Sequence, residues 1–258
     1  MNAEEHQLKT DGAGKFARRG ATVLAAAAAT TAACAWAVRG PRSSVFGPSV
    51  WHGARDRRSL ALTFDDGPSE STPEILEILE RYGARATFFQ CGLNVRRLPE
   101  ISRAVLAAGH EIGNHSYTHL LLSLHSRGIV EQEFTHAQRT IADTTGFSPT
   151  LLRVPFGVRW FGLRQVQRKL GLLEVMWTVM GYDWSLPSAA VVARVRRGFA
   201  NGAIVCLHDG RELRVRPDAG ATVEAVRALV PQMLDQGYKL ESVSQLLCPT
   251  NSSNGSGP

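Results

Sequence analysis

The sequence predicts a parallel α/β fold, on three observations. From residue 59 onward, short apolar runs alternate with longer stretches of helical period, the pattern of strand–helix units that build a parallel sheet. The polar residues with chemical potential fall just after the apolar runs, where active sites of such folds lie. The composition, 44% hydrophobic and 20% charged over 258 residues, is that of a globular chain with a sizeable core. A closed barrel and an open doubly wound sheet both fit this alternation.

The elements follow in order. Residues 1–20 carry Lys15, Arg18 and Arg19 and read as a basic, cytoplasmic n-region. Residues 21–38 are almost all small or apolar. A cleaved signal h-region and a membrane anchor both suit them, and either places the domain outside the cytoplasm. Thr31 argues against a lipoprotein signal ending at Cys34. Residues 39–57 read as a linker and 58–248 as one catalytic domain.

Within the domain the first strand is 59–64. Thr72 caps a helix that runs through Tyr82, with Pro73 at its first position, and Gly83 ends it. A strand at 86–91, a helix at 99–108 closed by Gly109 and a short strand at 111–112 come next. Then follow helix 129–144, strand 151–153, helix 161–170, strand 173–178, helix 189–200, strand 203–207, helix 223–236, strand 238–240 and a turn at 243–247. The Gly/Ser-rich tail 249–258 has nothing to order it.

The formal net charge is +6, but much of the excess is local to the N-terminal segment. No basic run is interleaved with aromatics, which argues against nucleic acid as a partner. The four cysteines show no metal spacing; Cys91 and Cys206 read as small core residues. A monomer is the default.

Two carboxylates, Asp65 and Asp66, end the first strand, where adjacent acids are costly unless used. In an extended chain they point opposite ways, so the turn begun by Gly67 must re-aim one. His115 and His119 stand four residues apart, and on a helical turn both imidazoles reach one ion. With one carboxylate they make a set suited to a divalent metal, and Asn114 and Ser116 are placed to support it. Arg153 before Pro155, the pair Asp183-Trp184, and Leu207-His208-Asp209 close later strand–loop units.

In these motifs the chain resembles the polysaccharide deacetylases of the NodB-homology group, carbohydrate esterase family 4. The resemblance runs from about Ser59 to Leu247. It rests on Thr63-Phe-Asp-Asp-Gly67, His115-Ser-Tyr-Thr-His119, Arg153-Val-Pro-Phe-Gly157, Asp183-Trp184 and Leu207-His208, in that order. It implies a distorted (β/α) barrel with fewer than eight full units. It implies Asp66, His115 and His119 as metal ligands, Asp65 as general base oriented by Arg153, and His208 as general acid supported by Asp183. The backbone N–H of Phe156 would hold the oxyanion, and Trp184 and Leu207 would line a pocket for the acetyl methyl. Met180 departs from the pattern, standing where the fourth motif often has an acid.

The implied reaction is metal-dependent removal of N-acetyl groups from a GlcNAc-containing polymer such as chitin oligomers or peptidoglycan. Zinc is the default ion, with cobalt or nickel as substitutes. The alternatives are an O-acetyl polysaccharide esterase on the same site and a catalytically silent carbohydrate-binding module. A zinc protease is disfavoured, because Ser116 follows His115 where that chemistry needs Glu.

Overall fold

A computed structural model describes residues 22 and 24–248 of the chain. The basic segment 1–20 and the tail 249–258 lie outside the described residues, as do 21 and 23 of the apolar segment. Residues 24–39 are helical and exposed over most of their length. No helix among the described residues is long and apolar enough to cross a membrane.

The strands are β1 (Ser49–Val50), β2 (Ser59–Gly67), β3 (Ala86–Gln90), β4 (Glu111–Asn114), β5 (Leu151–Leu152), β6 (Leu173–Val175), β7 (Val179–Met180), β8 (Ala203–His208) and β9 (Lys239–Leu240). The helices are α1 (Thr72–Arg81), α2 (Gly92–Arg97), α3 (Pro99–Ala107), α4 (Arg127–Thr145), α5 (Leu163–Leu170), α6 (Ser188–Arg196), α7 (Gly220–Asp235) and α8 (Val243–Leu247). Ser49–Val50 lies in the stretch read as a linker, yet it pairs with β6. The short helix α2 and the helix α8, read as a turn, complete the set.

Every strand pairing is parallel, in the order β1-β6-β5-β4-β3-β2-β8-β7, with β9 also on β2. The sheet is therefore a half-barrel whose end strands, β1 and β7, do not pair. β2 is central and buried at every position, as a parallel strand covered on both faces must be. The main core lies between this sheet and the helices; it stacks Phe64 on Phe88 with ring centroids 4.9 Å apart.

The expected strand 173–178 is not continuous. It breaks after Val175, because Met176–Thr178 crosses the open seam of the barrel. Met176 N–H donates to Val50 O on β1, and Thr178 N–H donates to Ile204 O on β8. The crossing satisfies backbone groups at both edges of the seam. An apolar run with a strand's period cannot distinguish this from one long strand.

Candidate active site

The site forms at the C-terminal ends of β2, β4 and β8, beside the loop after β5. Asp65 and His208 are direct neighbours in the β2–β8 register. The strand would carry Asp66 to the opposite face, but its backbone is left-handed (φ 70°) and the β2–β3 register shifts between Asp65 and Gly67. That bulge aims both carboxylates at one cleft. Asn94 Nδ2 donates to Asp66 O (2.7 Å), and Glu212 N–H donates to Asp66 Oδ2 (2.8 Å). Gly67 is required by a close approach: a Cβ there would stand 2.3 Å from the Asp209 carboxylate.

His115 and His119 meet by a route the sequence reading did not foresee. Residues 115–120 form no helical turn. Ser116 (φ 64°) and His119 (φ 55°) both adopt left-handed backbone, and the loop so formed brings the rings to 5.1 Å. Side chains hold that costly conformation. Asn114 Oδ1 accepts from Ser116 N–H (3.0 Å), while Glu133 Oε2 accepts from the N–H groups of Tyr117 (3.1 Å) and Thr118 (2.7 Å). Asn114 thus supports the loop as expected. The Ser116 hydroxyl has no hydrogen-bond partner among the described residues, and Glu133, distant in sequence, gave no signal.

Three buried side chains converge. Nε2 of His115 and of His119 lie 3.3 and 3.0 Å from Asp66 Oδ1. His115 Nδ1 is 2.8 Å from Arg153 O; a carbonyl only accepts, so the ring hydrogen is assigned to Nδ1 and Nε2 presents a lone pair. That lone pair faces a carboxylate oxygen that also only accepts and is buried without a hydrogen-bond partner. Such an arrangement calls for a proton or a cation between the groups. The ligand atoms lie within 4.8 Å of one another, and two imidazoles with one carboxylate suit a divalent ion that keeps open positions.

Asp65 belongs to a second network. Arg153, fully buried, donates from Nη1 to Asp65 Oδ1 (2.7 Å) and to Thr63 Oγ1 (2.7 Å), and from Nε to Val175 O (2.9 Å). Its Nη2 donates to Met176 O (3.3 Å), and its guanidinium lies 4.1 Å from the Phe89 ring centroid. Every donor nitrogen is thus used without an acid from the fourth motif, so Met180 leaves Arg153 unimpaired. Asp65, Cys206 and His208 are also close enough to hold an ion, but they do not fit one. Asp65 is committed to Arg153, and burial, with the Asp65 charge next, pushes the Cys206 thiol well above its ordinary pKa.

His208 is held by Asp183. Its Nδ1 lies 2.9 Å from Asp183 Oδ1, and its backbone N–H donates to Oδ2 (2.8 Å). Thr222 Oγ1 donates to the same Oδ2 at 2.5 Å. Burial depresses the imidazole pKa, but the Asp183 hydrogen bond and charge, with Asp66 and Asp65 adding, raise it to about 9. His208 is therefore an imidazolium at neutral pH. Asp209 is fully buried, and burial raises its carboxyl to about 7 against the hydrogen bond from Thr72.

Asp65, Asp66, His115, His119 and His208 open on a cleft of about 620 Å³. Phe156 borders it with a left-handed backbone (φ 58°) and its ring 4.5 Å from that of His119. Trp184 packs edge-on against His208 at 4.8 Å. Leu207 is the exception among the expected site residues. It is fully buried in the main core and does not line the cleft. Side chains alternate along β8, so placing Cys206 and His208 toward Asp65 turns Leu207 to the helix side. Arg39 and Pro41 line the cleft from the stretch read as a linker, and no motif pointed to them. His110, buried, has its pKa lowered to about 4 by burial, with Arg85 adding.

The sequence profile of the polysaccharide deacetylase family matches residues 52–175. The chain is similar to the peptidoglycan-N-acetylglucosamine deacetylase PgdA of Listeria monocytogenes, 34% identical over 75% of this chain and 40% of that one. It is also similar to a chitooligosaccharide deacetylase of a Bradyrhizobium species, 36% identical over 73% of this chain and 90% of that one. Among solved structures, a family 4 carbohydrate esterase of Streptomyces lividans in complex with acetate superposes with a TM-score of 0.64 at 34% identity, over 72% and 93% of the two chains. A pseudoenzyme of the same esterase family from Bacillus anthracis superposes with a TM-score of 0.71 at 26% identity, over 79% and 70%. The chain thus spans well under half the length of PgdA.

Proposed function

The chain belongs to the polysaccharide deacetylase family, carbohydrate esterase family 4, and from that membership and the site's geometry we propose that it removes N-acetyl groups from an amino-sugar polymer of the cell wall. One observation carries the reading. Two proton-handling side chains, each fixed by its own buried partner, flank the candidate ligands from adjacent strands. A carbohydrate-binding module has no use for that pairing.

Asp66, His115 and His119 would hold a divalent ion, which we take to be zinc. When bound, it supplies a water of lowered pKa and polarises the acetyl carbonyl. Asp65, aimed by its hydrogen bond from Arg153, takes the proton of the attacking water. The N–H of Phe156 faces the oxygen on which charge develops. His208 gives its proton to the departing amine, otherwise a very poor leaving group, and Asp183 stabilises the imidazolium until it does. Trp184 walls the acetyl side of the cleft. The apolar segment 21–38 directs the domain out of the cytoplasm, as signal or anchor.

The sign of the pH dependence follows. With the His208 pKa raised to about 9, the proton donor is present at neutral pH and lost as pH rises through that value. Asp183→Asn removes the hydrogen-bonded charge that raises it and is expected to move the alkaline limb of kcat/KM to lower pH. An Asp183→Asn profile whose alkaline limb stays in place contradicts the role given to His208.

Acetate release from chitin oligomers, peptidoglycan and acetylated xylan tests the reading as a whole. The expected result is release from at least one amino-sugar polymer, and no release from either overturns it. On the amide substrate His208→Ala is expected to lose about 10²- to 10⁴-fold in kcat. Activity on xylan alone that survives His208→Ala identifies an ester hydrolase instead.

A further inference from the structure

The helix formed by residues 24–39 does not end in free chain. Arg159, fully buried, donates from its backbone N–H to Val38 O (3.1 Å) and from Nε to the same oxygen (3.3 Å). Its Nη1 donates to Ser43 O (2.7 Å) and its Nη2 to Gly40 O. Ser43 Oγ closes the turn by donating to Ala37 O (2.8 Å). Behind the guanidinium, the buried Glu174 carboxylate lies 3.9 Å from Nη1. A buried arginine whose donors are used on the carbonyls of one segment fixes that segment in place.

The carbonyls on both sides of Arg39 are fastened in this way, which holds Arg39 at the cleft that also contains Asp66, His115 and His119. Arg214, from the loop after β8, borders the same cleft. The other charged groups there are accounted for. Arg211 donates to Gly210 O (2.8 Å) and Asp183 O (3.1 Å), His208 is paired with Asp183 and Asp65 with Arg153, and Asp66 lies against the two histidines. That leaves the Arg39 and Arg214 guanidiniums and one exposed acid, Glu212. No ion pair or hydrogen bond engages either guanidinium among the described residues.

We propose that Arg39 is a specificity-determining residue which, with Arg214, binds a carboxylate of the glycan, so that the preferred substrate is an acidic rather than a neutral amino-sugar polymer. This rests on the deacetylase reading above. The chemistry is that of a planar guanidinium fork and a carboxylate. A neutral N-acetylglucosamine oligomer offers these groups nothing charged. A glycan with carboxylates on its sugars or on attached peptides does. Residues 37–43 precede the region matched by the family profile, so the contribution belongs to this chain's own N-terminal segment.

The test uses the full chain with metal, as wild type, Arg39→Ala, Arg39→Lys and Arg214→Ala. The probes are chitotetraose and a soluble peptidoglycan fragment, the latter also with its carboxylates amidated. Arg39→Ala is expected to raise KM for the carboxylate-bearing fragment about tenfold at low salt, the worth of one charge-assisted hydrogen bond. Its effect on kcat should be much smaller, and Arg39→Lys should recover part of the loss. Amidation should weaken wild-type binding by a similar factor, and the effect on chitotetraose should be clearly smaller. An equal rise in KM for all probes, or none for the acidic fragment, overturns the inference. Binding of a fluorescent acidic fragment, followed by anisotropy, gives the same comparison without turnover. If wild type releases acetate from no probe, the deacetylase reading fails; loss of the anisotropy difference between wild type and Arg39→Ala removes the anion site separately.

Discussion

A His115→Ala protein is expected to lose its divalent ion and, with it, nearly all acetate release. His115 Nε2 is directed at the common centre by the Nδ1 contact with Arg153 O (2.8 Å). Loss of a mere supporting contact costs roughly 10- to 100-fold in metal affinity or activity; loss of a ligand itself should exceed that range. Elemental analysis after dialysis, alongside an acetate assay, checks both parts. Stoichiometric metal with full turnover in His115→Ala would remove His115 from the ligand set.

Arg153→Leu is expected to damage stability and catalysis together. Removing one partner of a buried ion pair strands the other, at a cost of about 3–5 kcal/mol. Here Asp65 is the stranded charge, and three backbone or hydroxyl acceptors (Val175 O, Met176 O and Thr63 Oγ1) also lose their donor. Asp65 would then lose the guanidinium that aims it and cease to act as base. Arg153→Lys keeps a charge but cannot reproduce the fork, so it should fold better than Arg153→Leu while still losing most turnover. Denaturant unfolding separates the two effects. An Arg153→Leu protein with wild-type stability and rate would contradict the pairing.

The sequence disclosed most where chemistry is written contiguously. Thr63-Phe-Asp-Asp-Gly67 and the residues around His115, Arg153, Asp183 and His208 each end a strand, and the parallel sheet gathers strand ends at one place. The alternation of apolar runs gave the strand–helix units, but not that the sheet stays open between β1 and β7. What period and spacing could not convey is backbone made by left-handed residues. The His115–His119 spacing resembles a helical turn, whereas Ser116 and His119 reach the same convergence through positive φ. The break after Val175 is equally silent, because an apolar segment crossing a seam has the composition of a strand. Leu207 was misplaced for a simpler reason: alternation along β8 allows Cys206 and His208 to face Asp65, or Leu207, but not all three. Arg159 and Arg39 carry no motif. Their significance lies in contacts between residues about 120 apart in sequence.

The proposed reaction needs one ion at Asp66, His115 and His119. Protein stripped with a chelator and titrated with zinc, with acetate release followed at each addition, tests this most directly. The predicted result is no release from the stripped protein, recovery that saturates at one equivalent per chain, and no recovery in Asp66→Asn at the same zinc concentrations. Full activity in the stripped protein, or a wild-type titration that Asp66→Asn reproduces, would contradict it.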